Sequence, residues 1–259
     1  MKSTFTLLFI TVFISTTSAQ DWKLIGGYNL AIPQGHMNDN INPAHSMQAG
    51  ALYKLKGPLK RLSVGFDAGI GIYAMKRIDQ TFTFDNNFTS IVPVNYNSNI
   101  LNANINARYN LAGDEKLFIP YITIKGGVYN FFSTIYVEDP QDGGCHALQR
   151  DNIIKDATLA WTGGAGLQIN TSVFSKRKFR RNVMIDISVN SVRGGRIDYI
   201  NTTDLVDAQT LNNPGSKPLQ VRFVNASTQN IHEHTVAQVH NSPLRMIEIR
   251  LGIVVNIER

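Results

Sequence analysis

A two-residue period restricts the fold of this chain more than any other feature. In "LNANINARYNL", Leu101 to Leu111, every even position is asparagine or arginine and every odd position is apolar or aromatic. Successive side chains leave a pleated backbone on opposite faces, so such a period specifies a β-strand with one apolar and one polar face. One face is Leu101, Ala103, Ile105, Ala107, Tyr109 and Leu111; the other is Asn102, Asn104, Asn106, Arg108 and Asn110. Asparagine is a poor strand former because its amide competes for local backbone, so four on one face point to a special environment.

The same period recurs from Trp22 onward, in "WKLIGGYNLAIP", "SMQAGALYKLK" (Ser46 to Lys56) and "RLSVGFDAGIGIYA" (Arg61 to Ala74), ahead of the quoted stretch. After it come Leu117 to about Ile135, Thr158 to Asn170, a segment from Val183, and Leu244 to Ile257. Pro120 lies inside the fifth segment, where a missing N–H weakens a ladder. Eight segments of this regularity predict an all-β fold, a closed up-and-down antiparallel barrel. The polar faces carry mostly Asn, Ser and Gly, with few of the long charged side chains a water-facing surface would show. Small polar residues fit inside a narrow barrel, and the Leu, Ile and Val face suits lipid. The prediction is an inside-out, transmembrane barrel.

The connections support the same reading. Short links, "GPLK" from Gly57, "AGDEK" from Ala112 and one from Thr171, alternate with mostly far longer ones, the last from about Arg193 to Pro243. Short turns at one end and long loops at the other are the pattern of an outer-membrane barrel with periplasmic turns and extracellular loops. Trp22, Tyr53, Tyr109 and Phe118 gather near the short-turn end of the apolar face, as an interfacial girdle would. Ahead of the barrel, Lys2 precedes the apolar run "FTLLFITVFI" and the small-residue stretch "STTSA", which read as a signal peptide over residues 1–19. Residues 20–259 then form one barrel domain, exported to the outer membrane of a Gram-negative bacterium. Its single cysteine, Cys145, excludes an internal disulfide framework. The 25 basic residues, less Lys2, against 19 acidic ones leave a net charge of +5. With export and no binding motif, nucleic acid is excluded as a partner.

This architecture, the glycine-rich "VGFDAGIGIYA" and the terminal strand "MIEIRLGIVVNIER" resemble the small eight-stranded outer-membrane β-barrels. The family comprises the OmpA- and OmpX-like domains and, in particular, the PorT-like barrels of Bacteroidota. The resemblance implies an outer-membrane location, and its PorT-like branch implies membership of a secretion system.

The asparagines then fill the lumen. Asn102, Asn104 and Asn106 hydrogen-bond across it together with the inward charges Asp67, Arg108, Lys125, Asp186, Glu248 and Arg250, which balance in sign. Unpaired buried charge is costly, and the expected pairs are Arg108 with Asp67 and Arg250 with Asp186. A paired core without transport is one reading of these residues; a proton or ion relay is the other. The stretch "SKRKFRR" contributes Lys176, Arg177, Lys178, Arg180 and Arg181 to a basic rim at the short-turn end, joined by Lys54, Lys56, Lys60, Arg61 and Lys116. That rim either caps the barrel in solvent or holds lipid phosphates, peptidoglycan or a periplasmic or outer-membrane protein.

All six histidines and Cys145 fall in the expected external loops, and "HEH" (His232, His234) is a weak metal pattern. No metal or cofactor is expected. His45 and Ser46 are adjacent, so on a strand they face opposite ways and make a poor base and nucleophile. On that ground the expectation is a monomeric binding or structural protein and not an enzyme. A narrow channel, a lipid A-modifying enzyme and a soluble lipocalin-like carrier are the alternatives.

Overall fold

The computed structural model describes residues 22–83, 89–138, 147–171, 183–207, 217–224 and 231–257. The signal peptide, the run from Lys176 to Arg181, Cys145 and His146 lie outside these residues, as do the side chains of His232 and His234.

Ten strands follow one another: β1 (Trp22–Pro33), β2 (Ala44–Lys54), β3 (Leu62–Thr83), β4 (Thr89–Asn110), β5 (Phe118–Glu138), β6 (Ala147–Asn170), β7 (Val183–Tyr199), β8 (Val206–Asp207), β9 (Lys217–Val224) and β10 (Ile231–Asn256). Eight of them form the wall. β1 to β7 pair with their neighbours in sequence, β7 pairs with β10, and β10 pairs back onto β1 from Lys23 with Asn256 to Pro33 with Met246. The result is a closed antiparallel barrel. At its closing seam Gly27 and Gly252 face each other, where a Cβ on Gly27 would lie 2.5 Å from the Gly252 Cα.

The faces follow the period. On β4, Asn102, Asn104, Asn106, Arg108 and Asn110 are buried in the lumen, and Leu101, Ile105 and Tyr109 point outward, Ile105 at 77% exposure. Outward apolar side chains come from every wall strand, among them Leu24, Met47, Phe66, Ile122, Leu159, Ile187 and Leu251. A water-soluble protein would bury so large an apolar surface, whereas a bilayer matches it. Trp22 and Tyr53 pack at 5.4 Å on this face, directly opposite in the β1–β2 ladder at the short-turn end. Pro120 lies one residue beyond the last β4–β5 pair, Asn110 with Tyr121, and its carbonyl accepts from the Leu111 N–H as the chain turns. Its missing donor therefore costs nothing further along the sheet.

The strands are longer than the alternation indicates. β3 to β6 run 22, 22, 21 and 24 residues, where roughly 9–11 suffice to cross a bilayer. The expected long loops after the third and fifth segments are therefore largely strand. The period fades because β3 bulges between Ile72 and Ala74, so that Tyr73 and Ala74 both turn inward and the alternation changes phase. Beyond the bulge, Lys76, Arg77 and Asp79 no longer contrast with an apolar partner face. The expected loop from Arg193 to Pro243 likewise contains the end of β7, the strands β8 and β9, and the first half of β10, which pairs with both.

Candidate functional site in the barrel lumen

Side chains fill the lumen in layers. At the short-turn end the turn between β4 and β5 folds beneath the mouth and places Asp114 there. The Asp114 carboxylate accepts from Lys54 Nζ at 2.6 Å, Lys23 Nζ at 3.4 Å and Asn110 Nδ2 at 3.1 Å, and its backbone carbonyl accepts from Asn170 Nδ2 at 2.8 Å. β1, β2, β4 and β6 are thus tied across the opening by one residue. Burial opposes the charged form of Asp114, but Lys23 and Lys54 outweigh it and hold the carboxyl below its ordinary range.

Next to this floor, within three residues of the strand ends, Ile25, Leu52, Ile119, Met184 and Val254 form a buried apolar layer. The charges follow, in two groups. In the first, Asp186 of β7 accepts from Arg250 Nη2 of β10 at 2.7 Å and lies 3.6 Å from Arg108 Nη2 of β4; the Arg108 guanidinium stacks 4.0 Å from the centre of the Tyr121 ring. In the second, Lys125 Nζ of β5 is 2.9 Å from Asp67 Oδ2 of β3. Asn104 and Asn106, on the strand between them, donate their amides to Asp67 at 3.1 and 3.0 Å. Thr123 donates to Asn106 Oδ1 at 2.9 Å, and Tyr129 donates to Glu248 at 3.1 Å.

The asparagines therefore serve as neutral donors to a buried carboxylate. An –NH2 group satisfies Asp67 without adding the further positive charge that a lysine at the same position would bring into a low-dielectric interior. Asn102 is buried in the same row.

A second apolar layer closes the long-loop side. Tyr73, Ile100, Phe131, Tyr199, Leu244 and Met246 converge there, and Met37, fully buried, enters from the single helical turn Gly35–Met37 between β1 and β2. Ser98, Ser133, Thr202 and the Ile200 carbonyl form a hydrogen-bonded knot above it.

Of the expected pairs, Arg250 with Asp186 is present and Arg108 with Asp67 is not. Arg108 stands in register with Ser63, whereas Asp67 faces Asn104. Four residues of strand separate the two levels, about 13 Å at 3.3 Å per residue, so Arg108 reaches across the lumen to Asp186 instead. The interior is also not uniformly polar, because its polar layer lies between two apolar ones. The floor at Asp114 and the plug at Met37 went unnoticed in the sequence. Asp114 had one signal, an acid in a short turn at the end where Lys23 and Lys54 gather. Met37 had none.

Not every histidine is in a loop. His45 is in β2, where its ring bonds the Tyr28 hydroxyl on the outer wall, and Ser46 donates instead to the Asn29 carbonyl at 3.0 Å. His240 lies in β10, stacked on Tyr199 at 5.7 Å, and His36 is exposed near Asp39. Among the described residues no group of His, Cys, Asp and Glu is placed to hold a metal ion.

No protein-family model matches the chain, and no curated protein does. Among solved structures it is similar to the outer membrane protease OmpT from Escherichia coli, with a TM-score of 0.36 and 8% identity over 93% of this chain and 99% of that one. The likeness is one of overall architecture alone, a β-barrel. It also corrects one expectation. The expectation that the chain is not an enzyme does not stand, since the barrel it is similar to is named a protease.

Proposed function

We propose that this chain is an integral outer-membrane protein that does not conduct, and that it acts through the surfaces it presents on either side of the bilayer. The layers of buried side chains inside the wall support this reading: the Asp114 floor, an apolar layer, a charge-paired layer and the Met37 cluster follow one another along the barrel. In this reading the short turns and both termini face the periplasm, residues 1–19 are removed on export, and the barrel is a monomer. OmpX-like or PorT-like kinship belongs to the same proposal, supported by the strand count and the meander order.

At the extracellular end the extended halves of β3 to β6 form a projecting sheet. Val92, Val94, Tyr96, Ile135 and Val137 on its inner face pack on Ile200 and Leu205, so it is a rigid platform suited to binding a partner. The basic run Lys176, Arg177, Lys178, Arg180 and Arg181, in the sequence link between β6 and β7, belongs to the same proposal as a ligand for lipid phosphates or a periplasmic partner.

Purified protein in planar bilayers tests the reading. Insertion without stepwise conductance is expected. Steps whose size changes with Arg108→Gln or Glu248→Gln would replace it with a channel.

A further inference from the structure

The outer wall carries a charge arrangement that the lumen does not explain. Arg193 of β7 and Arg245 of β10 stand directly opposite each other in their ladder, and both are exposed on the lipid side. Directly opposed side chains have Cβ atoms about 4.5–5.5 Å apart, and like charges so placed repel. Neither arginine forms an ion pair among the described residues. On the other side of Arg193 its ladder partner is Trp161 of β6, whose ring centre lies 5.8 Å from the guanidinium carbon. Arg196, also outward, is held nearby by the Asn241 carbonyl at 2.9 Å.

The level of this cluster is informative. Arg245 lies two residues beyond Ile247, where the apolar row of β10 ends toward the long loops, so the guanidiniums stand at the border of the apolar belt. Beside Arg193 is an open groove of about 370 Å³ lined by Leu159, Ala160, Trp161, Gly194 and Gly195. Gly126, opposite Trp161, leaves open space next to it. The groove is apolar and lies on the long-loop side of Arg193, since Leu159 and Ala160 precede Trp161 on β6 and Gly194 and Gly195 follow Arg193 on β7, so the cations stand at its membrane-side edge.

We infer that this is a binding site for a membrane lipid with a phosphomonoester headgroup. The phosphate sits between Arg193 and Arg245, and an acyl chain lies along the outward apolar residues on their membrane side, Val189, Ile247 and Ile249. A phosphomonoester carries a charge of about −1.5 to −2, which matches two guanidiniums, and each guanidinium can hold it through two parallel N–H donors. A phosphodiester lipid, with one charge, matches half of the site. The inference rests on the membrane-barrel reading and places the site in the leaflet on the long-loop side.

Native mass spectrometry of the full chain in detergent tests it, with diphosphorylated lipid A as probe and phosphatidylglycerol, dephosphorylated lipid A and inorganic phosphate as comparisons. A one-to-one adduct with diphosphorylated lipid A is expected, with at least tenfold weaker binding of each comparison. Arg193→Gln with Arg245→Gln should weaken the adduct at least tenfold. The double lysine variant, Arg193→Lys with Arg245→Lys, should fall between, and it decides the matter if the glutamine variant does not fold. Equal binding by parent and lysine variant, or by lipid A with and without its phosphates, would overturn the site. Boiled and unboiled samples run on gels in parallel separate the two failures. Parent protein that shows no shift contradicts the membrane barrel itself, whereas a normal shift with unchanged lipid binding removes only the site.

Discussion

Asp186→Asn is the most informative single change in the lumen, because one carboxylate there serves two cations. The Asp186 side chain is fully buried, 2.7 Å from Arg250 and 3.6 Å from Arg108. The other lumen carboxylates do not replace it: Asp67 is engaged by Lys125, Asn104 and Asn106, and Glu248 accepts from Tyr129. Removing one partner of a buried pair costs about 3–5 kcal/mol, chiefly because the charge left behind is neither solvated nor matched. The rank order follows from the geometry. Arg250→Gln and Arg108→Gln should each cost less than Asp186→Asn, since each leaves Asp186 with one guanidinium, and Arg250→Gln should cost more than Arg108→Gln because its contact is shorter. Asp186→Asn with Arg250→Gln leaves one uncompensated guanidinium in place of two and should be more stable than the sum of the single changes, by a coupling of about 0.5–3 kcal/mol. Urea titrations of barrel folded in lipid vesicles, followed by tryptophan fluorescence, measure all four. An Asp186→Asn variant within about 1 kcal/mol of the parent, or strictly additive single changes, would refute the paired-layer account.

Two further predictions concern the wall and the floor. Ile105→Lys places a charge on the lipid face near mid-belt and should cost roughly 2–4 kcal/mol, whereas Asn104→Ser on the lumen face should be mild; equal membrane yields for the two would reverse the assigned faces. Asp114→Asn should destabilise the barrel at neutral pH. The depressed Asp114 pKa contributes stability above the ordinary value of 3.8 and loses it as pH falls through the lower folded value, so thermal unfolding curves of parent and variant should converge in strong acid. A difference that persists unchanged there would remove the ionised latch.

The wall was legible in the sequence because a barrel enforces its period locally: each residue of "LNANINARYNL" is dictated by the face it occupies, with no knowledge of distant residues required. All eight wall strands and both faces of β4 were read in this way. What depended on three-dimensional closure was not legible. The partner of Arg108 is set by which wall lies across the lumen, not by its neighbour on β3. Met37 fills the bore only because a loop folds back into it, and its neighbours Gly35 and His36 announce nothing of the kind. The extended halves of β3 to β6 were lost where a single bulge at Tyr73 and Ala74 changed the phase of the alternation. Arg193 and Arg245, 52 positions apart in sequence, become neighbours only when β7 meets β10.

The central claim is that lipid meets the Leu, Ile and Val face and that the asparagine face is enclosed. Electrophoresis of the protein from a washed outer-membrane fraction, with and without boiling in detergent, tests it most directly. The account predicts a membrane-bound protein whose compact unboiled form shifts in mobility on heating. A soluble periplasmic protein with no shift would contradict it, turning the faces round and making the apolar side chains the lining of a ligand cavity.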